Sequence, residues 1–312
     1  MLKGMPVCLQ NRNYGKFNSP TLPMHKHECF KRYCAFCQKN REAGHYCYMR
    51  PLQNELPKSE NVLFVFYDFE TTQHTKLTAS ATVHILNLVF IQQFCSLCEK
   101  PDIDVHCERC GTRRHSFCED PVGDLLAYLC KQRQWCKKVV AIAHSARGMD
   151  AHFILDRALL LKWTPKLILN GQNVYMTLHH ITFLDSISFL PMALRKLPEA
   201  FGISASKSWY PHYFNTKSNW DYVGPIPGIE HYGVEQMNES EGEEFMAWHE
   251  TQKDIVFNNR QVLTQYCKDE VTVLRQACQL FRRDFFQVGI VDVFLESCTI
   301  ASACKKCSAS IS

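Results

Sequence analysis

The stretch Val62-Leu63-Phe64-Val65-Phe66-Tyr67-Asp68-Phe69-Glu70-Thr71-Thr72 is an apolar run that ends in two carboxylates. A continuous series of β-favouring residues predicts a buried central strand. Alternate side chains of a strand point to the same face, so we expect Asp68 and Glu70 to point into one cleft. Neighbouring carboxylates repel each other unless a cation lies between them, and a divalent metal commonly does so. The alternative is that the two acids only mark the end of the strand.

Composition is that of a globular protein. The 312 residues are 46% hydrophobic and 21% charged, which allows one large domain or two modest ones. The net charge is only +4, so a nucleic-acid partner would have to bind a local basic patch. No apolar run approaches the roughly 20 residues of a membrane helix, and no signal peptide begins the chain. We expect a soluble intracellular protein that does not bind a membrane, with nucleus and cytoplasm both open.

Four of the 17 cysteines form two C-x-x-C pairs separated by a short loop: Cys95, Cys98, Cys107 and Cys110. This spacing predicts a zinc ribbon in a reducing compartment. Four thiolates leave no open position on zinc, so the metal would be structural. His106, His115 and Cys118 lie nearby, either as alternative ligands or as ordinary loop residues.

An earlier cluster has a less regular spacing and consists of Cys29, Cys34, Cys37, His45 and Cys47. It predicts either a tetrahedral zinc site, with His45 or Cys47 as the fourth ligand, or a cysteine-rich loop without metal.

Further elements follow from periodicity and capping residues. Asp120-Pro121 predicts the start of a helix, and the apolar run 138–143 predicts a buried strand. We expect strands at 83–94, 167–169, 174–178 and 181–186, helices at 151–161 and 191–201, and a helix opened by the capping box Ser240-x-x-Glu243. Asp150 begins the helix at 151–161, where it is either a functional acid or an N-cap.

A long helix is predicted over about 260–286, with its apolar residues at helical spacing. Tyr266 lies three residues before Asp269 and four before Glu270, so the phenol shares a helix face with at least one acid. Residues 204–235 are aromatic and irregular, and Lys207 precedes the aromatic run that contains Tyr210 and His212. Such residues either stack bases and hold phosphates or pack onto a core as loop residues.

As a set, these motifs resemble the 3′–5′ exonuclease domain of family B DNA polymerases, in the protein-primed branch of viruses, organellar plasmids and Polinton/Maverick-type transposons. Asp68-x-Glu70 is similar to the first exonuclease motif. His144-Ser-Ala-Arg-Gly-Met-Asp150 resembles the second, and Tyr266-Cys-Lys-Asp-Glu270 resembles the third. The likeness extends to Ile181–Pro198, to the two segments at 210–215 and 222–227, and to both cysteine clusters, and it covers roughly residues 28–304.

The resemblance implies a chemistry for these residues. Asp68, Glu70, Asp150 and one acid of the third motif, Glu270 or Asp269, would hold two Mg²⁺ or Mn²⁺ ions. Tyr266 would orient the attacking water, and Lys207 would contact the scissile phosphate. The implied partner is the single-stranded 3′ end of DNA, contacted by the residues Thr71, Ser145, Arg147, Tyr210 and His212. In full-length members a terminal protein primer is a further partner.

Three features depart from the family pattern. Ser145 stands where the second motif usually has Asn, and Glu270 stands where the third usually has Asp. No palm motif with the polymerase aspartates follows in this sequence. We therefore expect the chain not to polymerise DNA, and to be at most a 3′–5′ exonuclease.

The expected fold is α/β, a ribonuclease-H-like exonuclease fold with a mixed sheet flanked by helices and small Cys-rich zinc modules. We divide the chain into a disordered lead-in (1–27), a Cys/His-rich segment (28–58), the exonuclease domain (59–290) with a zinc-ribbon insertion at about 95–118, and the start of a missing polymerase domain (291–312). Two alternatives remain: a catalytically decayed polymerase remnant that binds only zinc and nucleic acid, and a zinc-ribbon protein unrelated to nucleases.

Overall fold

The structure is a computed structural model that describes residues 31–34, 39–42, 45, 61–76, 78, 82–98, 102–146, 148–170, 173–205 and 208–311. The predicted lead-in lies outside these residues. So do five of the predicted site residues: Cys29, Cys37, Cys47, Arg147 and Lys207. Of the first cysteine cluster only Cys34 and His45 are described, so its ligand set stays a prediction.

A seven-stranded mixed sheet forms the centre of the molecule. Its strands are β3 (Val62–Lys76), β4 (Thr82–Cys95), β5 (Arg114–Phe117), β6 (Lys138–Ala143), β7 (Lys166–Asn170), β8 (Asn173–Leu178) and β9 (Ile181–Asp185). They lie in the order β5-β4-β3-β6-β9-β8-β7. β3, β6 and β9 run parallel, and every other neighbouring pair is antiparallel. The predicted α/β class with a mixed sheet is confirmed.

The remaining strands form two small antiparallel pairs, β1 (Lys31–Cys34) with β2 (Lys39–Glu42) and β10 (Val223–Gly224) with β11 (Phe257–Asn258). The α-helices are α1 (Pro121–Cys130), α2 (Asp150–Leu160), α3 (Leu197–Phe201), α4 (Glu239–Thr251), α5 (Asn259–Gly289), α6 (Val293–Glu296) and α7 (Ile300–Ile311). None of the described helices is long and apolar enough to cross a bilayer.

The period-two alternation of β3 sends its side chains to two helical layers. The Phe64 ring lies 4.5 Å below the Arg282 guanidinium of α5, and the Cys267 thiol of α5 contacts Asp68, so even-numbered residues face α5. The Phe69 ring packs on Phe153 of α2 at a centroid distance of 6.3 Å. The sheet is therefore covered by helices on both faces, which explains why the first six residues of β3 are apolar and buried on both faces.

Two consecutive glutamines interrupt the apolar run of β4, and both are fully buried. The Gln92 amide donates to Thr272 of α5 at 2.7 Å and accepts from Arg275 of the same helix at 2.6 Å. The Gln93 amide donates to the carbonyls of Cys110 and Thr112, and accepts from the Tyr128 hydroxyl at 2.6 Å. These bonds tie the strand to α5 on one face and to α1 and the cysteine-rich segment on the other.

Several element boundaries differ from those predicted. The third strand of the sheet, β5, was not predicted, because its four residues are mostly polar and show no apolar alternation. The predicted helix at 191–201 is reduced to a 3₁₀ turn at Leu194–Lys196 followed by α3, since Pro198 is tolerated only in a first helical turn. Gly202 closes α3 in the left-handed conformation, as expected.

Two predicted helix caps were wrong. The N-cap of α4 is Asn238, whose side chain accepts from the Glu241 amide at 3.0 Å, and not Ser240. Asn caps a helix as well as Ser does, and here it does so two residues earlier. Asp150 is not an N-cap, because α2 begins with Asp150 itself after Met149, which makes no side-chain cap bond. Its carboxylate remains available to the site.

Residues after α5 pack back onto it. Arg282 of α5 donates twice to one carboxylate oxygen of Asp292, at 2.9 and 2.6 Å, and both side chains are buried. Phe294 of α6 packs on Phe189 at a centroid distance of 5.2 Å, and Ala303 of α7 is fully buried. The segment from 291 to at least 303 thus shares the core of the sheet domain.

Candidate active site

Three parallel strands end at the same edge of the sheet, and each supplies an acid. Asp68 and Glu70 lie on β3, Asp150 follows the loop after β6, and Asp185 is the last residue of β9. Carboxyl ends of parallel strands are where α/β proteins commonly place functional groups. Glu270 reaches this edge from α5. The structure thus brings together acids that are up to about 200 positions apart in the chain.

Asp68 and Glu70 point into one cleft, as their spacing predicted. Their carboxylates and the Cys267 thiol each offer a ligand atom, and these atoms lie within 4.8 Å of one another. The Cys267 sulfur is 3.4 Å from the Asp68 carbonyl oxygen and 3.7 Å from its Oδ2. Glu70 is buried, whereas Asp68 keeps part of its surface exposed. The cleft is therefore reachable from solvent at Asp68.

Glu270, and not Asp269, faces the cleft. The Tyr266 hydroxyl donates to Glu270 Oε1 at 2.7 Å, and both side chains are buried. Asp269 instead accepts from Ser208 at 3.0 Å and from Gln265 at 2.6 Å. The acid of the third motif that joins the cluster is the longer one.

The carboxylates raise one another's pKa. Burial raises the pKa of Asp68 well above its ordinary value, and the charges of Glu270, Glu70 and Asp150 raise it further, together with a side-chain hydrogen bond to Glu270. Burial likewise raises the pKa of Asp150, with added repulsion from Asp185 and Glu270. An enclosed group of acids that repel one another is the environment in which a cation is most strongly favoured.

The donor chemistry of this cluster fits hard divalent cations. Carboxylate oxygens are the ligands that Mg²⁺ and Mn²⁺ prefer. Asp68 and Glu70 bring their ligand atoms within 4.8 Å of each other, and the charges of Asp150 and Glu270 act on Asp68 from other elements. Among the described residues the thiol of Cys267 is the soft atom of the group. Residues able to hold such ions are Asp68, Glu70, Asp150, Asp185 and Glu270.

The predicted nucleic-acid contacts fall into two groups. Ser145 and His212 are exposed, and the His212 ring lies edge-on to Tyr266 at 5.2 Å. Tyr210 and Thr71 are buried: the Tyr210 hydroxyl donates to Asn259 at 2.8 Å, and the Thr71 hydroxyl bonds to His84 at 3.1 Å. Tyr210 therefore supports Tyr266 from within the core, with ring centroids 5.5 Å apart.

The four cysteines Cys95, Cys98, Cys107 and Cys110 converge on one point. The sulfur–sulfur distances are 3.7 Å for Cys95–Cys98, 3.8 Å for Cys95–Cys107 and 3.4 Å for Cys98–Cys110. Sulfurs about 2.3 Å from a tetrahedral zinc are about 3.8 Å apart, so the cluster has the dimensions of a zinc site. We call residues 95–111 the four-cysteine module.

Backbone amides and one arginine hold this module. The amides of Cys95 and Cys110 donate to the sulfurs of Cys98 and Cys107, at 3.3 and 3.5 Å. Arg113, only 2% exposed, donates to the carbonyls of Gln93, Cys98 and Asp102. The thiols also hydrogen-bond to one another. Hydrogen bonds from Cys110 and Cys98 lower the pKa of Cys95, and the hydrogen bonds to Cys95 and Cys98 raise the pKa of Cys110.

Sequence reasoning missed three residues of these sites. Asp185 was noted only as the end of a strand, although its place at the edge shared by β3, β6 and β9 would have pointed to it. Cys267 sits between two motif residues, and only the packing of α5 on β3 brings it to Asp68. Arg113 carried no spacing signal, because its partners are backbone carbonyls.

Comparison with known proteins assigns the family. Residues 135–306 match the family described as DNA polymerase type B, organellar and viral. Because this match covers more than half of the chain, the chain belongs to that family, and the predicted resemblance to the organellar and viral type B polymerases is confirmed.

Three curated relatives carry the description "Probable DNA polymerase". The relative from Agaricus bitorquis is 32% identical over 127 residues, which is 38% of this chain and 16% of the relative. That from Neurospora intermedia is 22% identical over 48% of this chain and 17% of its own length. That from Ascobolus immersus is 29% identical over 44% of this chain and 11% of its own. The chain spans about a sixth or less of these relatives.

Among solved structures, Phi29 DNA polymerase complexed with single-stranded DNA is similar at 12% identity with a TM-score of 0.40. The similarity covers 71% of this chain and 31% of that one. Its complex with primer-template DNA has a TM-score of 0.41 at the same identity and the same coverage.

Proposed function

We propose that this chain carries the 3′–5′ exonuclease portion of a type B DNA-directed DNA polymerase. The reaction is the metal-dependent hydrolysis of the terminal phosphodiester at a single-stranded 3′ end of DNA. The order of the strands supports this proposal. β5, β4 and β3 are antiparallel to one another, and β6 and β9 follow parallel to β3, which is the arrangement of a ribonuclease-H-like sheet. Family membership supplies the polymerase context.

One observation carries the proposal: three motifs that are far apart in the chain meet at Asp68. Its carboxyl is repelled by Glu70 of its own motif, by Asp150 of the second and by Glu270 of the third, and it shares a side-chain hydrogen bond with Glu270. Structural acids of a sheet edge have no reason to converge in this way, because each added carboxylate costs stability. A binding role for cations offsets that cost.

Three further residues would position the water and the DNA strand. The hydroxyl of Tyr266, held by Glu270, lies at the cleft where it orients a water for attack on the phosphorus. His212 is exposed beside Tyr266 and lines the approach of the strand end. By the resemblance of its sequence, Lys207 would contact the scissile phosphate. As the water oxygen bonds to phosphorus, the phosphorus–O3′ bond breaks and the leaving oxygen takes a proton.

Divalent cations held by Asp68, Glu70, Asp150 and Glu270 would supply activation of the water and stabilisation of the leaving oxygen. For the second centre, we propose a structural zinc bound by Cys95, Cys98, Cys107 and Cys110. Its four thiolates would leave no position for substrate, so its role would be to hold the module together.

A decayed, binding-only protein is the second candidate, and two residues favour it. Ser145 is exposed with a positive φ of 59°, a conformation that Asn tolerates better than Ser, and it lacks the amide of the usual motif residue. Glu270 adds one methylene to the third-motif acid, and catalytic geometry tolerates little displacement.

Degradation of 5′-labelled single-stranded DNA in Mg²⁺ or Mn²⁺ tests the proposal. We expect laddering from the 3′ end by the wild type and none by Asp68→Ala/Glu70→Ala. Asp269→Asn is the matched control: it also neutralises an acid of the third motif, but one bonded to Ser208 and Gln265, and it should keep activity within a few-fold.

Absence of cleavage by a folded wild-type protein would contradict the exonuclease proposal and favour the binding-only candidate. Glu270→Asp and Ser145→Asn then separate the two losses. Laddering restored by Glu270→Asp would assign the defect to the longer acid, whereas restoration by Ser145→Asn would assign it to the second motif.

A further inference from the structure

We propose that the four-cysteine module and the loop after α1 form a second surface that binds single-stranded nucleic acid. It is centred at the start of β3, where the module and the loop meet the sheet. We call this surface the basic edge and define it by Arg109, His115, Tyr128, Lys131, Arg133, Trp135 and Lys137. It does not depend on whether the acidic cleft is catalytically active.

Strand register fixes where the basic edge lies. Leu63, near the start of β3, pairs with Cys95 of the module on one side and with Val139 of β6 on the other. Asp68 is five residues further along β3, a distance of about 17 Å at strand spacing. The start of the module and the end of the loop therefore lie away from Asp68 along the strands, whereas His115 of β5 lies level with Tyr67, because both pair with Ile91.

The positive charge comes from the loop. Residues 131–138 read Lys-Gln-Arg-Gln-Trp-Cys-Lys-Lys, with four cations and no acid, in a chain whose net charge is only +4. Lys131 and Lys137 are exposed, and Arg133 is partly exposed. Lys138 is partly buried, and burial lowers its pKa while the charge of Asp292 opposes that shift. Three loop cations thus remain on the surface.

The module itself is acidic, with four acids against one lysine and one arginine in residues 95–111, so it contributes geometry and not positive charge. Its exposed acid Asp104 pairs with Arg114, which lies just beyond the module. Arg109 of the module lies over the Trp135 ring of the loop, with its guanidinium 5.8 Å from the ring centroid. This contact joins module and loop into one surface.

Aromatic rings alternate with the cations. The Arg133 guanidinium lies 5.0 Å from the Tyr128 ring centroid, and the His115 ring lies 4.7 Å from the same ring. The charges of Arg133 and Lys131 also lower the pKa of His115, after the larger effect of burial, so these cations share its surroundings. Cations that track a phosphate backbone beside flat rings that stack bases are the features of single-strand binding surfaces.

These features favour a nucleic acid over an acidic peptide. An acidic peptide would use the cations alone, whereas a single strand uses cations and rings together. A strand long enough to reach the basic edge while its 3′ end lies at the acids would be held at two points.

Fluorescence anisotropy with a labelled single strand of about 16 nucleotides tests the proposal, a length at the upper end of common single-strand sites. The full-length chain carries Asp68→Ala/Glu70→Ala, so that no DNA is cut. In this background, Lys131→Gln/Arg133→Gln/Lys137→Gln should reduce the slope of log affinity against log salt by about 2, at about 0.7 per lost phosphate contact. Trp135→Ala should weaken binding about tenfold through lost stacking.

The matched control is Lys166→Gln/Lys253→Gln/Lys305→Gln, which removes the same charge from exposed positions elsewhere. It should leave the slope within about 0.5 of the parent, because it removes no phosphate contact. Equal slopes for the two triple variants would overturn the proposal. So would equal competition by polyglutamate and by unlabelled DNA, since that result assigns the surface to acidic peptides.

Arg133 also donates to the carbonyls of Tyr128 and Lys131, so its replacement could disturb the loop. The double variant Lys131→Gln/Lys137→Gln changes only exposed side chains and should still reduce the slope by about 1.4. Arg133→Lys in place of Arg133→Gln in the triple variant keeps that charge and should return about 0.7 of the lost slope. Binding is measured in a background without Asp68 and Glu70. A lack of binding at the basic edge can therefore be distinguished from a lack of exonuclease activity.

Discussion

At the residue scale, the structure decides which of two adjacent acids, Asp269 or Glu270, faces the cleft. Helix geometry places Asp269 and Glu270 about 100° apart, so only one of them can share the buried face with Tyr266. The sequence left the choice open, because either acid could follow Tyr266 by one turn. Ser208, a residue 61 positions away, supplies the contact that turns Asp269 aside. A contact of that kind cannot be read from local spacing.

The raised pKa values of the cleft predict an unusual pH dependence of stability. Asp68 and Asp150 have pKa values well above their ordinary value of 3.8 in the folded chain, so between that value and the raised one the folded state binds more protons than the unfolded state. The free energy of unfolding must then fall as pH rises through this window, by about 1.4 kcal/mol per pH unit for each proton of difference.

Urea unfolding at a series of pH values without divalent ions measures this effect. Asp68→Asn should flatten the slope and raise stability at neutral pH, and Mg²⁺ or Mn²⁺ should do so for the wild type. The exposed acid Glu244 serves as control, and Glu244→Gln should leave the slope unchanged. A slope that stays the same in Asp68→Asn would contradict the electrostatic account of the cleft.

At the scale of elements, the strands and helices with strong periodicity were predicted well. β6, β9 and α5 all lie within a few residues of their expected bounds, whereas the central strand continues six residues beyond Glu70, to Lys76. β5 was missed, because a short polar strand gains its stability from pairing with β4 and not from its own pattern. The convergence of the four cysteines was predicted from spacing, since two C-x-x-C pairs constrain their sulfurs locally. Its support by Arg113 was not.

The module should depend on its four sulfurs as a unit. Cys107→Ser should release one zinc per chain and raise hydrogen exchange across residues 95–117, because a three-thiolate site with a hydroxyl holds zinc weakly. Cys118→Ser is the matched control, as Cys118 lies just beyond the module and outside the described cluster. The zinc content, measured by elemental mass spectrometry, should fall by one equivalent per chain in Cys107→Ser and should not change in Cys118→Ser. An unchanged zinc content would refute the assignment.

At the scale of the whole molecule, residues 291–303 belong to the same core as the acids, because this segment packs on α5 through α6 and α7. Arg282 of α5 donates twice to the buried carboxylate of Asp292, which ties the segment to that helix. Apolar patterning alone does not reveal such a contact.

This buried pair predicts a large cost when one partner is lost. Arg282→Met should lower the free energy of unfolding by about 3–5 kcal/mol, because Asp292 would keep its buried charge without its main partner. Arg283→Met, at the neighbouring and exposed pair with Asp284, should change it by less than about 1 kcal/mol. Equilibrium unfolding in urea compares the two. The double variant Arg282→Met/Asp292→Leu should recover much of the loss if the charge, and not the packing, is responsible.

The adjacent amides of Gln92 and Gln93 matter to anyone who would engineer this scaffold. A hydropathy-guided redesign would replace both with leucine, since they interrupt an otherwise apolar strand at zero exposure. Such a change would remove one partner of the buried Arg275 guanidinium on one side and the donor to the carbonyls of Cys110 and Thr112 on the other. The two glutamines that interrupt the apolar strand therefore connect β4 to both helical layers and to the cysteine-rich segment.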